Sequence, residues 1–211
     1  MPDGSMQIPT RLTVPQASGK REIDAPSSSM GSRGVACLIL TLALAFPGAS
    51  GLAAKDASGK LELKTTAFPA GGTIPTQFTC SGANISPALS WTAPPPRTQS
   101  FALIVDDPDA PAGTWVHWVV YNLPALLRQL REHVPMGDAI ARGGKQGLND
   151  FPQNGYGGPC PPPGKPHRYF FRLYALDAML DLRAPVHRKD VDAAMKGHIL
   201  AQGEWMGTFG R

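Results

Sequence analysis

The chain lacks the long apolar run of a membrane-spanning helix. A bilayer crossing takes about 20 consecutive apolar residues. The longest candidate, Val35 to Phe46, has about a dozen. Charge is also sparse, at 17% of residues, and no basic run concentrates the formal excess of +4. That argues against a nucleic-acid partner and for a mildly cationic solvated surface. Several catalytic patterns are missing. There is no phosphate-binding Walker loop and no dinucleotide fingerprint, and Ser86 and Ser90 are not set in a nucleophile elbow. No histidine pair has the i, i+4 spacing of a helical zinc site. Neither a metal nor a cofactor is expected.

Glycine (23) and proline (22) are abundant among the 211 residues. Without a short repeat, that excess points to many turns. Residues 1–29 are polar, rich in Pro, Ser and Gly, and without apolar period. They read as a disordered leader or as a mis-assigned start. From Met30 the pattern sharpens. Arg33 supplies positive charge, Val35 to Phe46 an apolar stretch, and Pro47 to Ala54 a breaker and small residues. Residues 30–54 are therefore expected to be a secretory signal peptide, with translation starting at Met30 and cleavage near Ala53 or Ala54. An uncleaved N-terminal anchor is the alternative. Cys37 does not follow the apolar run, as a lipid-modified cysteine would. Residues 55–211 are expected to form one periplasmic or secreted domain. Two of the three cysteines, Cys80 and Cys160, remain in it, and an oxidising compartment makes a disulfide between them plausible.

Alternation of period two marks strands. It is present at Leu61, Leu63 and Thr65, and in Ser100 to Asp107, with Phe101, Leu103, Val105 and Asp107 on one face. Trp115 to Tyr121 predicts a strand with Trp115, His117, Val119 and Tyr121 on one face. Arg168 to Leu176 predicts another, with Tyr169, Phe171, Leu173 and Ala175 together. Shorter strands are expected at Gln77 to Cys80, Leu89 to Thr92 and Glu204 to Phe209. Ala125 to Glu132 reads as a short helix, Arg142 to Lys165 as a long Gly/Pro-rich loop, and Arg188 to Ala201 as an amphipathic helix. Many strands with few helices predict a mainly β protein, a β-sandwich with peripheral helices.

Chemistry-bearing residues gather at strand ends beside loops, where a scaffold presents side chains to a cleft. Asp107 ends one strand, His117 lies on the next, and His167 and Tyr169 open a third. Each has a plain structural reading as well. Asp107 could cap its proline turn, His117 could be a satisfied core histidine, and Trp115 and Trp118 could be packing.

The stretch Asp106-Asp107-Pro108-Asp109-Ala110-Pro111, followed by Thr114-Trp115-Val116-His117-Trp118, resembles a signature of the phosphatidylethanolamine-binding protein family. Gly157-Gly158-Pro159-Cys160-Pro161-Pro162 leading to His167-Arg168-Tyr169 resembles the second. Thr79 to Pro87 and Asn149-Asp150-Phe151 are similar to the bacterial Raf-kinase-inhibitor-like branch. The resemblance implies an antiparallel β-sandwich with an anion pocket formed by Asp107, Pro111, Trp115, His117, Gly158, His167 and Tyr169. It implies as partner a phosphate-bearing small molecule or phospholipid head group, or a protein target such as a kinase or protease. Gly158 would let backbone N–H groups approach an anion, and His117 and Tyr169 would donate further bonds. Asp107 could hold a histidine tautomer, take a proton from a phosphate monoanion, or meet an ammonium group. Three functions follow: a head-group binding protein, a protein-docking inhibitor, and, less favoured, a hydrolase using Asp107 and His117. Cys160 departs from the eukaryotic pattern and leaves the shape of the Gly-Pro loop open.

Overall fold

A computed structural model describes residues 59–211. The expected leader, signal peptide and cleavage point lie outside the described residues. The strands are β1 (Gly59–Lys60), β2 (Leu63–Lys64), β3 (Leu89–Trp91), β4 (Ser100–Asp107), β5 (Trp115–Pro124), β6 (Gln129–Leu130), β7 (Lys145–Gly147), β8 (His167–Leu176) and β9 (Ile199–Phe209). Among the described residues, one helix, α1 (Arg188–Met195), and a 3-10 turn at Thr76–Phe78 complete the set. Six strands form one sheet in the order β1-β9-β8-β4-β5-β7, and β2-β3-β6 form a second. Among the described residues all strand pairings are antiparallel except β1 with β9, and an isolated bridge between Thr73 and Thr208 is also parallel. The mainly β sandwich is as the alternation predicts.

The core lies between the sheets. Phe101, Leu103 and Val105 of β4 meet Tyr169, Phe171 and Leu173 of β8 and Leu89 and Trp91 of β3. On the outer face of the larger sheet, Ala102, Ile104, Val116 and Val119 are covered by Val191 and Met195 of α1. Both faces of β4 are thus buried, and all eight of its residues are inaccessible.

Five local expectations need correction. Gln77 to Cys80 is not a strand; Thr79 N–H and Oγ1 both bond Thr76 O, closing a 3-10 turn instead. Ala125 to Glu132 is not helical. Leu127 N–H closes a turn on Pro124 O, and Leu130 then pairs with Leu89 in β6. The helix from Arg188 ends at Met195, because Gly197 adopts φ +85° and Ile199 enters β9 opposite Leu176. The long loop contains β7, paired with β5. Finally, β5 does not keep one face throughout. Val105 pairs with Trp118, and Asp106 pairs with Val116, so His117 is an extra residue. This β-bulge reverses the alternation beyond it. Val119 and Tyr121 therefore face α1, and Trp118 and Val120 face the sandwich core.

Candidate functional site

The bulge is what makes the site. It keeps His117 on the same side of the sheet as Trp115 and Trp118, and the ring packs edge-on against Tyr169 at 5.2 Å. Asp107 pairs with Trp115 at the open end of the sheet, and His167 begins β8 beside it. Asp107, Pro111, Trp115, His117 and His167 line one pocket of about 180 Å³. Its other walls are Ala110, Phe151, Cys160, Pro161 and Pro162. Larger grooves of about 820 and 650 Å³ lie elsewhere, but neither joins a histidine to a buried carboxylate.

Asp107 is 3% exposed, and its oxygens are both engaged. Oδ1 accepts the Asp109 N–H at 2.8 Å, closing the proline turn, and Oδ2 accepts from His167 Nδ1 at 2.8 Å. The carboxylate is thereby both a turn cap and the group that fixes the His167 tautomer. With Nδ1 committed, Nε2 of His167 is the nitrogen left to a ligand. Asp109 does not reach the pocket lining. It grips Arg168 through both side-chain oxygens and through the Arg168 N–H, which holds its carboxyl well below the usual range.

His117 is 2% exposed. Its Nδ1 lies 2.6 Å from the Gly157 carbonyl, which only accepts, so Nδ1 carries the proton and Nε2 is an acceptor in the neutral ring. Burial lowers its pKa, against the opposing pull of the Gly157 carbonyl and of Asp107. Tyr169 is raised well above the ordinary phenol value, first by burial and then by the nearby Asp107 charge. It stays a hydroxyl. Among the described residues its Oη closes no well-aligned hydrogen bond, although Asp107 lies close enough to act on it, and the buried indole N–H of Trp115 has no partner. Two buried donors beside one small pocket call for a physical account.

Gly158 and Tyr169 stand behind the wall rather than on it. The Gly158 N–H is not free for an anion, since it donates to Asn84 Oδ1 at 2.7 Å. Its glycine requirement is steric: a Cβ there would lie 2.4 Å from Phe78 O and 2.6 Å from Asn84 Oδ1. The nest expected at Gly158 is replaced by a seam between the loop and residues 78–84. Tyr156 Oη donates to Phe78 O, Cys80 N–H donates to Pro159 O, and Cys80 is joined to Cys160.

Residues that pattern reading left without a role prove to organise the site. Asn149 accepts the N–H groups of Phe151 and Gln153 and donates to Gly155 O, folding the loop back on itself. Asp150 accepts the Val116 N–H at 2.7 Å beside the bulge. Phe151 is placed edge-on to both Trp115 and His117, at 5.4 Å from each. Their motif was visible in the sequence, but its contacts to β5 span more than thirty residues and no periodicity reports them.

Known proteins agree with this architecture. Residues 64–210 match the family model described as phosphatidylethanolamine-binding protein. A UPF0098 protein of Methanothermobacter thermautotrophicus is 50% identical over 72% of this chain and 99% of its own length. One from Aquifex aeolicus is 48% identical over 72% of this chain and 89% of its own. Among solved structures, a phosphatidylethanolamine-binding protein homologue from Chlamydia trachomatis superposes with a TM-score of 0.65 at 41% identity, covering 73% of this chain and 99% of that one. E. coli YbcL, described as a new member of the mammalian family, gives 0.67 at 31% identity, covering 72% and 99%. With a matching family model, close relatives and a shared sandwich, this chain belongs to the phosphatidylethanolamine-binding protein family.

Proposed function

We propose that this chain is an exported binding protein whose pocket takes a phosphate-bearing head group of the phosphatidylethanolamine type and does not transform it. The observation that carries this reading is the composition of one small pocket. It combines His117 and a carboxylate-oriented His167 with aromatic and proline walls. The buried donors of Trp115 and Tyr169 lie alongside. A phosphate oxygen reached by small side-chain adjustments would satisfy such donors. Neutral His117 Nε2 suits the hydroxyl of a phosphate monoanion.

Size limits the ligand. At about 30 Å³ per water, 180 Å³ holds roughly six waters. That suits a head group and leaves acyl chains outside. Binding is favoured over hydrolysis because the groups an acid–base pair would use are held by the fold, and the one cysteine of the lining is in a disulfide. The Asp107 oxygens and the His117 proton are already committed to the fold.

Native mass spectrometry with phosphorylethanolamine tests the reading. The wild-type chain is expected to hold one molecule, and His117→Ala to lose it while keeping its fold. A folded wild type that binds none overturns the proposal and shifts weight to the protein-docking alternative.

A further inference from the structure

We propose that the Cys80–Cys160 bond is a redox latch on the pocket: reduction by a dithiol frees the Cys160–Pro162 wall and weakens head-group binding while the sandwich stays folded. This rests on the binding reading above and concerns the regulation of the same site.

The latch follows from where the loop is held. Up to Pro159 the seam needs no disulfide. Gly157 N–H donates to His117 O, Gly158 N–H to Asn84 Oδ1, and Cys80 N–H to Pro159 O. Beyond Cys160 the holds thin out. Pro161, Pro162 and Pro163 have no N–H to offer. Arg211, an exposed residue, supplies what remains, through Nε to Pro161 O at 2.7 Å and its carbonyl to Gly164 N–H at 3.2 Å. Cys160, Pro161 and Pro162 nevertheless line the pocket beside His117 and His167. Apart from the burial of Pro161 and these two bonds of Arg211, the covalent bond to Cys80 is thus the tether of one wall of the site.

Its anchor is rigid. Thr79 bonds back to Thr76, and Ser81 N–H and Gly82 N–H both bond Thr79. Asn84, at φ +56°, aims its side chain at Gly158. The anchor is also accessible: Cys80 is exposed, and Cys160 is half-buried. Exposure is what thiol–disulfide exchange needs. One thiolate of the dithiol attacks a sulfur of the pair, giving a mixed disulfide and one free cysteine thiolate. The second thiol resolves the mixed disulfide. The dithiol leaves as a disulfide, its two electrons and two protons now on Cys80 and Cys160. A wall that must be ordered by the ligand costs affinity, and roughly tenfold is expected.

The full chain is titrated with phosphorylethanolamine as isolated, after dithiothreitol, and after reoxidation. Ring NMR shifts of His117 and His167 are recorded without ligand in each state. Circular dichroism reports the fold. Support is a dissociation constant about tenfold weaker on reduction and restored on reoxidation, with shifted ring signals and an unchanged fold. The variant with Cys80→Ser and Cys160→Ser should match the reduced protein. Equal affinity in both states overturns the latch, and so does unfolding on reduction. If the oxidised chain binds nothing, the binding reading fails by itself. The ring shifts then decide the latch alone: moved by reduction, they support it, and unmoved, they overturn it.

Discussion

Adjacent residues of one strand serve opposite faces, and Asp106 and Asp107 show what that separates. Asp107 points to the pocket and orients His167. Asp106 points to the outer face, where it binds Arg172, and Arg188 of α1 at 2.5 Å. Asp106→Asn should therefore lower stability by about 2 kcal/mol, with the arginines partly solvated, and leave phosphorylethanolamine binding intact. Asp107→Asn should weaken binding about tenfold or more by freeing His167. Urea midpoints and titrations on the two variants check this, and a binding defect in Asp106→Asn would break the division. His117 makes a second prediction. Its folded pKa lies below the ordinary 6.5, because the ring is buried. The unfolded state thus takes up the proton first as pH falls. Stability is full above 6.5 and declines as pH drops from 6.5 toward the folded value, by at most about 1.4 kcal/mol per pH unit for one proton. His117→Asn keeps an N–H for the Gly157 carbonyl and removes the titration. Its urea midpoint should fall less steeply than the wild type's below pH 6.5, and parallel profiles would contradict the assignment.

At the scale of elements, alternation reported β8, where Tyr169, Phe171 and Leu173 are buried and the residues between them are less so. β4 is buried on both faces, yet Phe101, Leu103 and Val105 share the core face as read. Alternation failed where an element is set by tertiary bonds. The β5 bulge has no mark in Trp115 to Tyr121, because an extra residue is defined only against the partner strand. Ile199 stands at helical spacing from Met195 but belongs to β9, since pairing with Leu176 outweighs local period. The pocket residues were legible through their family motif, yet the reason for Gly158 was not. A glycine that admits an anion and one that admits a neighbouring loop look alike in sequence. The two differ in experiment. Gly158→Ala should drive a Cβ into Phe78 O and Asn84 Oδ1, lift the seam, and cost about 2 kcal/mol. Because the Gly157 carbonyl holds the His117 proton, head-group affinity should fall with it. A stability loss without any change in binding would show that the seam does not position the pocket.

For the whole molecule, the bond between Cys80 and Cys160 closes the chain over 80 residues of separation and ties the turn before β3 to the loop before β8. In the chain-entropy account, a closure of that length is worth about 4–5 kcal/mol through the unfolded state. Serine at both positions should lower the urea midpoint accordingly, even where the pocket is empty. The same bond links the fold to the reading of residues 30–54. A disulfide forms in an oxidising compartment, so expression without export should give a less stable, dithiol chain. Expression with the native leader is expected to yield a protein beginning near Ala54 or Lys55 and lighter by two hydrogens than the dithiol form. Intact mass measured from the periplasmic and cytosolic fractions checks both features at once. A cleaved, oxidised protein outside the inner membrane supports the exported binding protein. A full-length chain retained with free thiols would remove export from the proposal. It would also leave the pocket wall untethered in the only compartment the protein occupies, so that head-group binding there would be in the weakened state.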